Sequence, residues 1–230
     1  MGVLACTPSL TDEIRQAWRE GRQPRIHPNG FLQLDLEPDK MRDGRPIAKR
    51  RLHIFDDSLP RQVVRTSVHD HIFDMSSFVV KGTVLNDTYV LVPDPEGDLE
   101  VYQAQESKCT ETNLVPMGER CTLRLKKTEY VYAGETYTFP AYAFHDSRHQ
   151  GVAVTIMTKT KDYRDHLHTY ERSLRRATPR VLVPVDAEPD NSFSREDQDI
   201  DMLWELIQRT FDFELETAQP VSALPNPFRR

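Results

Sequence analysis

Two stretches decide the reading: Ser67-Val68-His69-Asp70-His71-Ile72-Phe73-Asp74-Met75, followed by Gly82, and Gly134-Glu135-Thr136-Tyr137-Thr138-Phe139-Pro140-Ala141-Tyr142-Ala143-Phe144-His145. On a β-strand, residues i and i+2 project from one face, about 6–7 Å apart along the chain. His69 and His71 on a strand are therefore a two-pronged ligand for one metal ion. The spacing alone is weak, because the chain carries a second such pair, His166 and His168, in a charged segment that reads as surface. What raises the first pair is the second stretch, which sets a turn glycine, a proline and a histidine at fixed offsets.

Working outward from these stretches, the texture is that of many short strands. Phe31 to Leu36 and Arg51 to Phe55 alternate across the Pro/Asp/Gly-rich stretch 37–46. Phe78-Val79-Val80, Thr88 to Val92, Leu99 to Tyr102, Cys121 to Leu125, Glu129 to Tyr132 and Val152 to Met157 follow at short intervals. Turn signals stand between them at Asn86-Asp87, Pro95-Glu96-Gly97 and Ala133-Gly134-Glu135. Val181 to Val185 reads as one more strand, at an edge because of Pro184. Helices are few. Residues 9–20 form an amphipathic one, with Leu10, Ile14, Ala17 and Trp18 on one face, Ser9 or Thr11 as cap and Gly21 as stop. Residues 194–213 form another, with Ser194 and Asp197 as a capping box and a stripe of Ile200, Leu203, Trp204, Ile207 and Phe211. This pattern predicts an all-β sandwich or barrel with a helix near each end.

The two stretches resemble the paired motifs of the cupin superfamily. The first family motif is His-x-His, three or four residues, Glu, six residues, Gly. The second is Gly, five residues, Pro, x, Gly, two residues, His, three residues, Asn. His69, His71 and Gly82 match the first, and Gly134, Pro140 and His145 the second; the match covers roughly residues 63–158. The resemblance implies a cupin-type double-stranded β-barrel (jelly roll), a metal site of His69, His71 and His145, and pairing as a homodimer. Three positions depart from it. Met75 stands for the motif's Glu, Tyr142 for its second glycine and His149 for its Asn. The long spacing from Gly82 to Gly134 implies an extended loop around residues 93–120.

Without the Glu, three neutral imidazoles leave a divalent metal its full charge, a set that suits Fe(II) first, with Zn, Ni, Mn or Cu as alternatives. Such three-histidine sites resemble those of thiol dioxygenases, whose first motif also often reads His-Asp-His. The Ser-x-His-x-Tyr unit of the cysteine-specific enzymes is missing from Ala153-Val154-Thr155-Ile156-Met157, so cysteine is not the expected substrate. Alternation turns Asp74 away from the site and Met75 toward it, as an apolar wall. Arg65, four residues before His69, is a candidate for binding an anionic substrate group. His149 is a candidate fourth ligand or acid–base group, and Tyr142 a candidate proton-steering hydroxyl. His27 and His53 read as ordinary polar strand residues.

The function implied is an Fe(II) oxygenase or dioxygenase, hence an oxidoreductase, acting on a small polar molecule. Two alternatives stay open: a non-redox Zn or Ni cupin (isomerase, lyase or hydrolase), and a non-enzymatic small-molecule-binding cupin. The 230 residues are 38 % hydrophobic and 29 % charged, with a formal net charge of −6, and this acidity argues against a general nucleic-acid surface. No stretch approaches the ~20 apolar residues of a membrane helix, and Met1 to Leu10 lacks the features of a signal peptide, so a cytoplasmic location is expected. Cys6, Cys109 and Cys121 read as free thiols, although Cys109 and Cys121 could pair. A single domain over 1–215 is expected, with a loose tail at 216–230.

Overall fold

Leu32, Leu34 and Leu36 alternate with Gln33 and Asp35, and this two-residue period builds a sheet whose faces differ in chemistry. The computed structural model describes residues 9–42, 45–59, 68–106, 112–162, 178–187 and 198–215. Its elements run α1 (Leu10–Arg19), β1 (Arg25–Ile26), β2 (Leu32–Arg42), β3 (Arg45–Phe55), β4 (Phe73–Pro93), β5 (Leu99–Glu106), β6 (Thr112–Tyr132), β7 (Thr136–Phe139), β8 (Phe144–Asp162), β9 (Arg180–Pro184) and α2 (Ile200–Phe211). All strand pairs are antiparallel, in the order β1-β2-β3-β8-β4-β6-β5-β9, with β7 also on β4.

β4 and β8 are long enough to serve two halves of the molecule. Their C- and N-terminal parts respectively, with β6, β5 and β9, make a ring that residue 69 closes. Thr88 pairs with His145, His145 bridges to His69, and His69 bridges to Val181 on β9. The other parts of β4 and β8 join β1, β2, β3 and β7 in a curled sheet. The passage between the halves falls at Gly82, where φ is +76° and the register slips between Val79, Lys81 and Thr83. A Cβ on Gly82 would lie 2.3 Å from the Val152 carbonyl oxygen, so the motif glycine is required by both backbone conformation and close approach. The architecture is the all-β, double-stranded barrel with two helices that the motifs implied.

The helices cover a flank of the curled sheet. Ile14 and Ala17 of α1 and Leu203, Trp204, Leu206 and Ile207 of α2 pack on Leu32, Leu34, Leu36, Leu52, Ile54, Val154 and Ile156. Trp18 meets Trp204 edge to face at 4.9 Å. Ser9 caps α1 in a reciprocal box with Asp12. The cap of α2 is Asp199, which accepts from the Met202 N–H at 3.0 Å, so the described helix starts later than the expected 194. No helix among the described residues is long and apolar enough to cross a membrane.

Several expected breaks are strand instead. The stretch 37–46 is largely the continuation of β2 and β3, paired from Glu37 with Arg50 to Arg42 with Arg45 through register irregularities. Asn86-Asp87 is no turn: both are buried mid-strand, where Ser147 donates to Asn86 Oδ1 and Thr128 and Arg148 donate to Asp87 from neighbouring strands. The insertion expected as a loop around 93–120 holds the β5–β6 pairing, from Leu99 with Cys121 to Glu106 with Thr112. Cys121 is a buried free thiol whose pKa burial pushes up. Cys6, Cys109, Arg65, the pair His166 and His168, Ser194, Asp197 and the tail 216–230 lie outside the described residues.

Candidate metal centre

His69, His71 and His145 come from three different local settings. His69 lies in the single bridge that closes the ring, its N–H donating to the His145 carbonyl at 3.1 Å while the His145 N–H donates back at 3.0 Å. His71 precedes β4, and its carbonyl accepts from the Tyr142 N–H at 2.7 Å. His145 is the second residue of β8. The His-x-His pair is thus extended but not part of a regular strand, contrary to expectation. The two-residue spacing still directs both rings toward His145.

One ligand nitrogen from each ring lies within 4.8 Å of the other two. Two nitrogens bound to one ion at about 2.0–2.1 Å stand at most about 4.2 Å apart, so the spread is close to that of a shared ion. The ring centroids are 4.6–5.0 Å apart. Burial, then the neighbouring His69, lowers the pKa of His145 to about 3 and that of His71 well below the ordinary value. Both are therefore neutral at pH 7, with lone pairs available for a metal. His145 Nδ1 lies 2.9 Å from the Ala143 carbonyl, which fixes the proton there and leaves Nε2 as the ligand atom. The donor set fits a divalent metal by number and spacing, and His71 and His145 fit it by protonation as well.

The surrounding residues hold these rings in place. Phe139 stacks on His145 at 3.9 Å and Phe73 on His71 at 4.7 Å. The Asn29 amide nitrogen lies 3.0 Å from His69 Nδ1; an amide can meet an imidazole edge as donor or, turned over, as acceptor. Asp70, between the two first histidines, is fully buried. Its Oδ1 accepts from the Arg180 N–H at 2.7 Å and its Oδ2 from Arg180 Nε at 2.7 Å and Nη2 at 2.6 Å. Burial pushes the Asp70 carboxyl up, and Arg180 opposes the shift. Removing either partner would strand a buried charge, so this pair anchors the histidine segment to β9.

Of the other candidates, Met75 is buried opposite Phe139, and Tyr142 packs against the same cluster. Tyr142 has φ +66°, which explains why the family motif carries glycine at this position. Asp74 accepts from the Ala141 N–H, away from the three rings, as alternation required. His149 lies apart from the cluster: its Nδ1 is 2.6 Å from the Gly151 carbonyl, its ring faces Phe55, and its Nε2 is 4.0 Å from Asp57. Sequence reasoning missed Asn29, Arg180, Phe73 and Phe139, and it set aside His27, whose charge would be felt by both His69 and His71. Only the Phe73 position carried a signal, as the next residue of the same parity after His71.

No family model matches the chain, and no curated protein matches it. Solved structures with some likeness include the Drosophila melanogaster CENP-C cupin domain, at 11 % identity and TM-score 0.29, covering 66 % of this chain and 100 % of that one. Hydroxypropylphosphonic acid epoxidase from S. wedmorenis is 12 % identical with TM-score 0.32, covering 61 % and 56 %. Hydroquinone 1,2-dioxygenase from Sphingomonas sp. TTNP3 is 9 % identical with TM-score 0.24, covering 50 % and 60 %. By its own geometry the chain is an antiparallel β-barrel with three histidines converging where the ring closes.

Proposed function

We propose that the chain is a metal-dependent cupin enzyme, a three-histidine Fe(II) oxygenase acting on a small polar molecule. The observation that carries this reading is a ligand set of three imidazoles with no carboxylate among them. A divalent ion held by His69, His71 and His145 would supply the redox chemistry that couples a small substrate to O2. The protein's own part is to keep His71 and His145 neutral by burial, to orient the rings through Asn29, Phe73 and Phe139, and to brace them through Asp70 and Arg180. Met75 supplies an apolar wall and Tyr142 a hydroxyl for steering protons. His149 is not among the residues whose ligand atoms converge, and its Nδ1 meets the Gly151 carbonyl.

The test is elemental analysis of untagged protein purified without added metal, wild type beside His71→Ala, followed by oxygen uptake after Fe(II) loading. Near-stoichiometric iron, lost in the variant, is the expected result. Zinc or nickel lost likewise, with no oxygen uptake after Fe(II) loading, would turn the reading toward Lewis-acid chemistry on the same ligands. No metal in either protein, even after soaking, would overturn the site and leave a barrel that only binds small molecules.

A further inference from the structure

The three histidines leave open where a fourth protein donor would come from. Met75 stands at the motif position of the glutamate, buried opposite Phe139, and its soft thioether is a poor donor for a divalent ion. The two carboxylates nearest in sequence are engaged elsewhere. Asp70 is held by Arg180, and Asp74 accepts from the Ala141 N–H. Any fourth donor therefore comes from another part of the chain.

One side chain reaches the centre from such a place. Asn29 stands at the tip of the turn His27-Pro28-Asn29-Gly30, which joins β1 to β2. Its amide nitrogen lies 3.0 Å from Nδ1 and 3.4 Å from Nε2 of His69. Two donors on one ion at about 2.0–2.1 Å stand about 2.9 Å apart at a right angle and about 3.4 Å apart at a tetrahedral one. Whichever nitrogen of His69 binds, the end of the Asn29 amide is therefore at the separation of a neighbouring ligand. A half-turn of the amide puts Oδ1, with its two lone pairs, where the nitrogen is. Among the described residues both contacts of this amide are to His69, so the half-turn breaks no other bond.

The turn holds its tip in place. The His27 N–H donates to the Phe31 carbonyl at 2.7 Å, and the Gly30 N–H to the His27 carbonyl at 2.8 Å. The Asn29 N–H donates to His27 Nδ1 at 3.2 Å, and the His27 ring stacks on Phe31 at 4.4 Å. Pro28 fixes one backbone angle, and Gly30 has φ +82°, a conformation that glycine adopts freely. Phe31 packs against the cluster that contains Phe73, Met75 and Phe139. A donor carried on such a turn loses little freedom on binding.

We propose that Asn29 is a fourth protein ligand, which binds the divalent ion through Oδ1 from the β1–β2 turn and supplies the oxygen donor that Met75 does not. An amide oxygen is neutral, so the ion keeps its full dipositive charge, and a six-coordinate ion keeps two positions for substrate and O2. That use of the two positions rests on the oxygenase reading. The coordination itself requires only that His69, His71 and His145 bind a metal.

The experiment titrates Co(II) into EDTA-treated wild type, Asn29→Ala, Asn29→Cys and His71→Ala against a chromophoric chelator, with circular dichroism of each to check folding. His71→Ala is expected to lose tight binding, and Asn29→Ala to bind at least about tenfold more weakly than wild type. Asn29→Cys is expected to bind Co(II) with a near-ultraviolet sulfur-to-cobalt charge-transfer band that wild type lacks, because a thiolate then stands within bonding distance of the ion. A residue that merely orients His69 would give no such band. Unchanged affinity in a folded Asn29→Ala would overturn the assignment and leave the three-histidine site standing. So would weaker binding in Asn29→Ala with no band in Asn29→Cys, and if Asn29→Ala does not fold, the band decides alone. Absence of Co(II) binding in wild type would sink the three-histidine site and the assignment together. Tight Co(II) binding and the band, with no oxygen uptake after Fe(II) loading, would keep the ligand and sink only the oxygenase reading.

Discussion

Even-numbered residues of β2, β3 and β8 point outward under α1 and α2, where Leu32, Leu34, Leu52, Ile54 and Val154 are fully buried. Odd-numbered residues of the same strands point inward and mix the polar Gln33, Asp35, Arg51, His53, Thr155 and Lys159 with the apolar Phe55, Ala153 and Met157. In an ordinary two-layer protein the polar face would be the wet one. Here the sheet curls so that its polar face becomes the barrel interior, and its apolar face is dried by two helices. The outer face is explained by packing alone. The inner face also holds buried polar atoms without partners, among them His53 Nε2, Ser77 Oγ and Thr155 Oγ1, whose cost packing does not repay.

The largest effect belongs to the outer face. Leu34→Ala removes a fully buried side chain between sheet and helices and is expected to lower stability by about 2–5 kcal/mol in equilibrium urea unfolding. A loss well under 1 kcal/mol would mean that the helices do not form a packed layer there, and the contrast between the faces would fail.

A smaller effect, dependent on pH, tests the inner face. Burial first, then Arg51, lowers the His53 pKa to about 3, against 6.5 for an exposed histidine. Between those values the unfolded chain binds a proton that the folded chain does not, so stability falls as pH drops below 6.5. Replacing His53 with Phe should remove up to about 1.4 kcal/mol per pH unit from that slope in denaturant titrations between pH 6 and 4.5. An unchanged slope would show that His53 is reached by solvent and is no part of a dry interior.

The smallest effect sharpens the comparison most. With no ligand present, Thr155→Val is expected to stabilise the protein by about 1 kcal/mol, because it deletes a buried hydroxyl without a partner. Destabilisation of similar size would show that the hydroxyl is satisfied in place and that the inner face is an ordinary paired interior.

The parts of this picture that were legible in the chain are those set by short-range spacing. The stripes Leu10, Ile14, Ala17 and Leu203, Trp204, Ile207 announced helices, since a 3.6-residue period needs no distant partner to be recognised. His69, His71, Gly82, Gly134, Pro140 and His145 announced the two motifs for the same reason. Asn86-Asp87 misled, because those residues favour turns unless strands on either side engage their side chains, and Thr128, Ser147 and Arg148, which do so here, are 41 and 61 residues away. Arg180 was invisible as the partner of Asp70, 110 residues distant. His149 was placed by an alternation that holds along β8 but says nothing of how far the ring stands from His145.

By itself, then, the sequence determined the all-β class, both helices and the three histidines, because each is encoded in local periodicity or spacing. Only the tertiary structure decided that the polar face of β2, β3 and β8 is the inside, that Asp70 and Arg180 brace the site, and that Asn29 stands beside it. Curl and closure of a sheet depend on pairings between distant segments, such as His69 with Val181. Alternation states that two faces differ, and only closure states which one is buried.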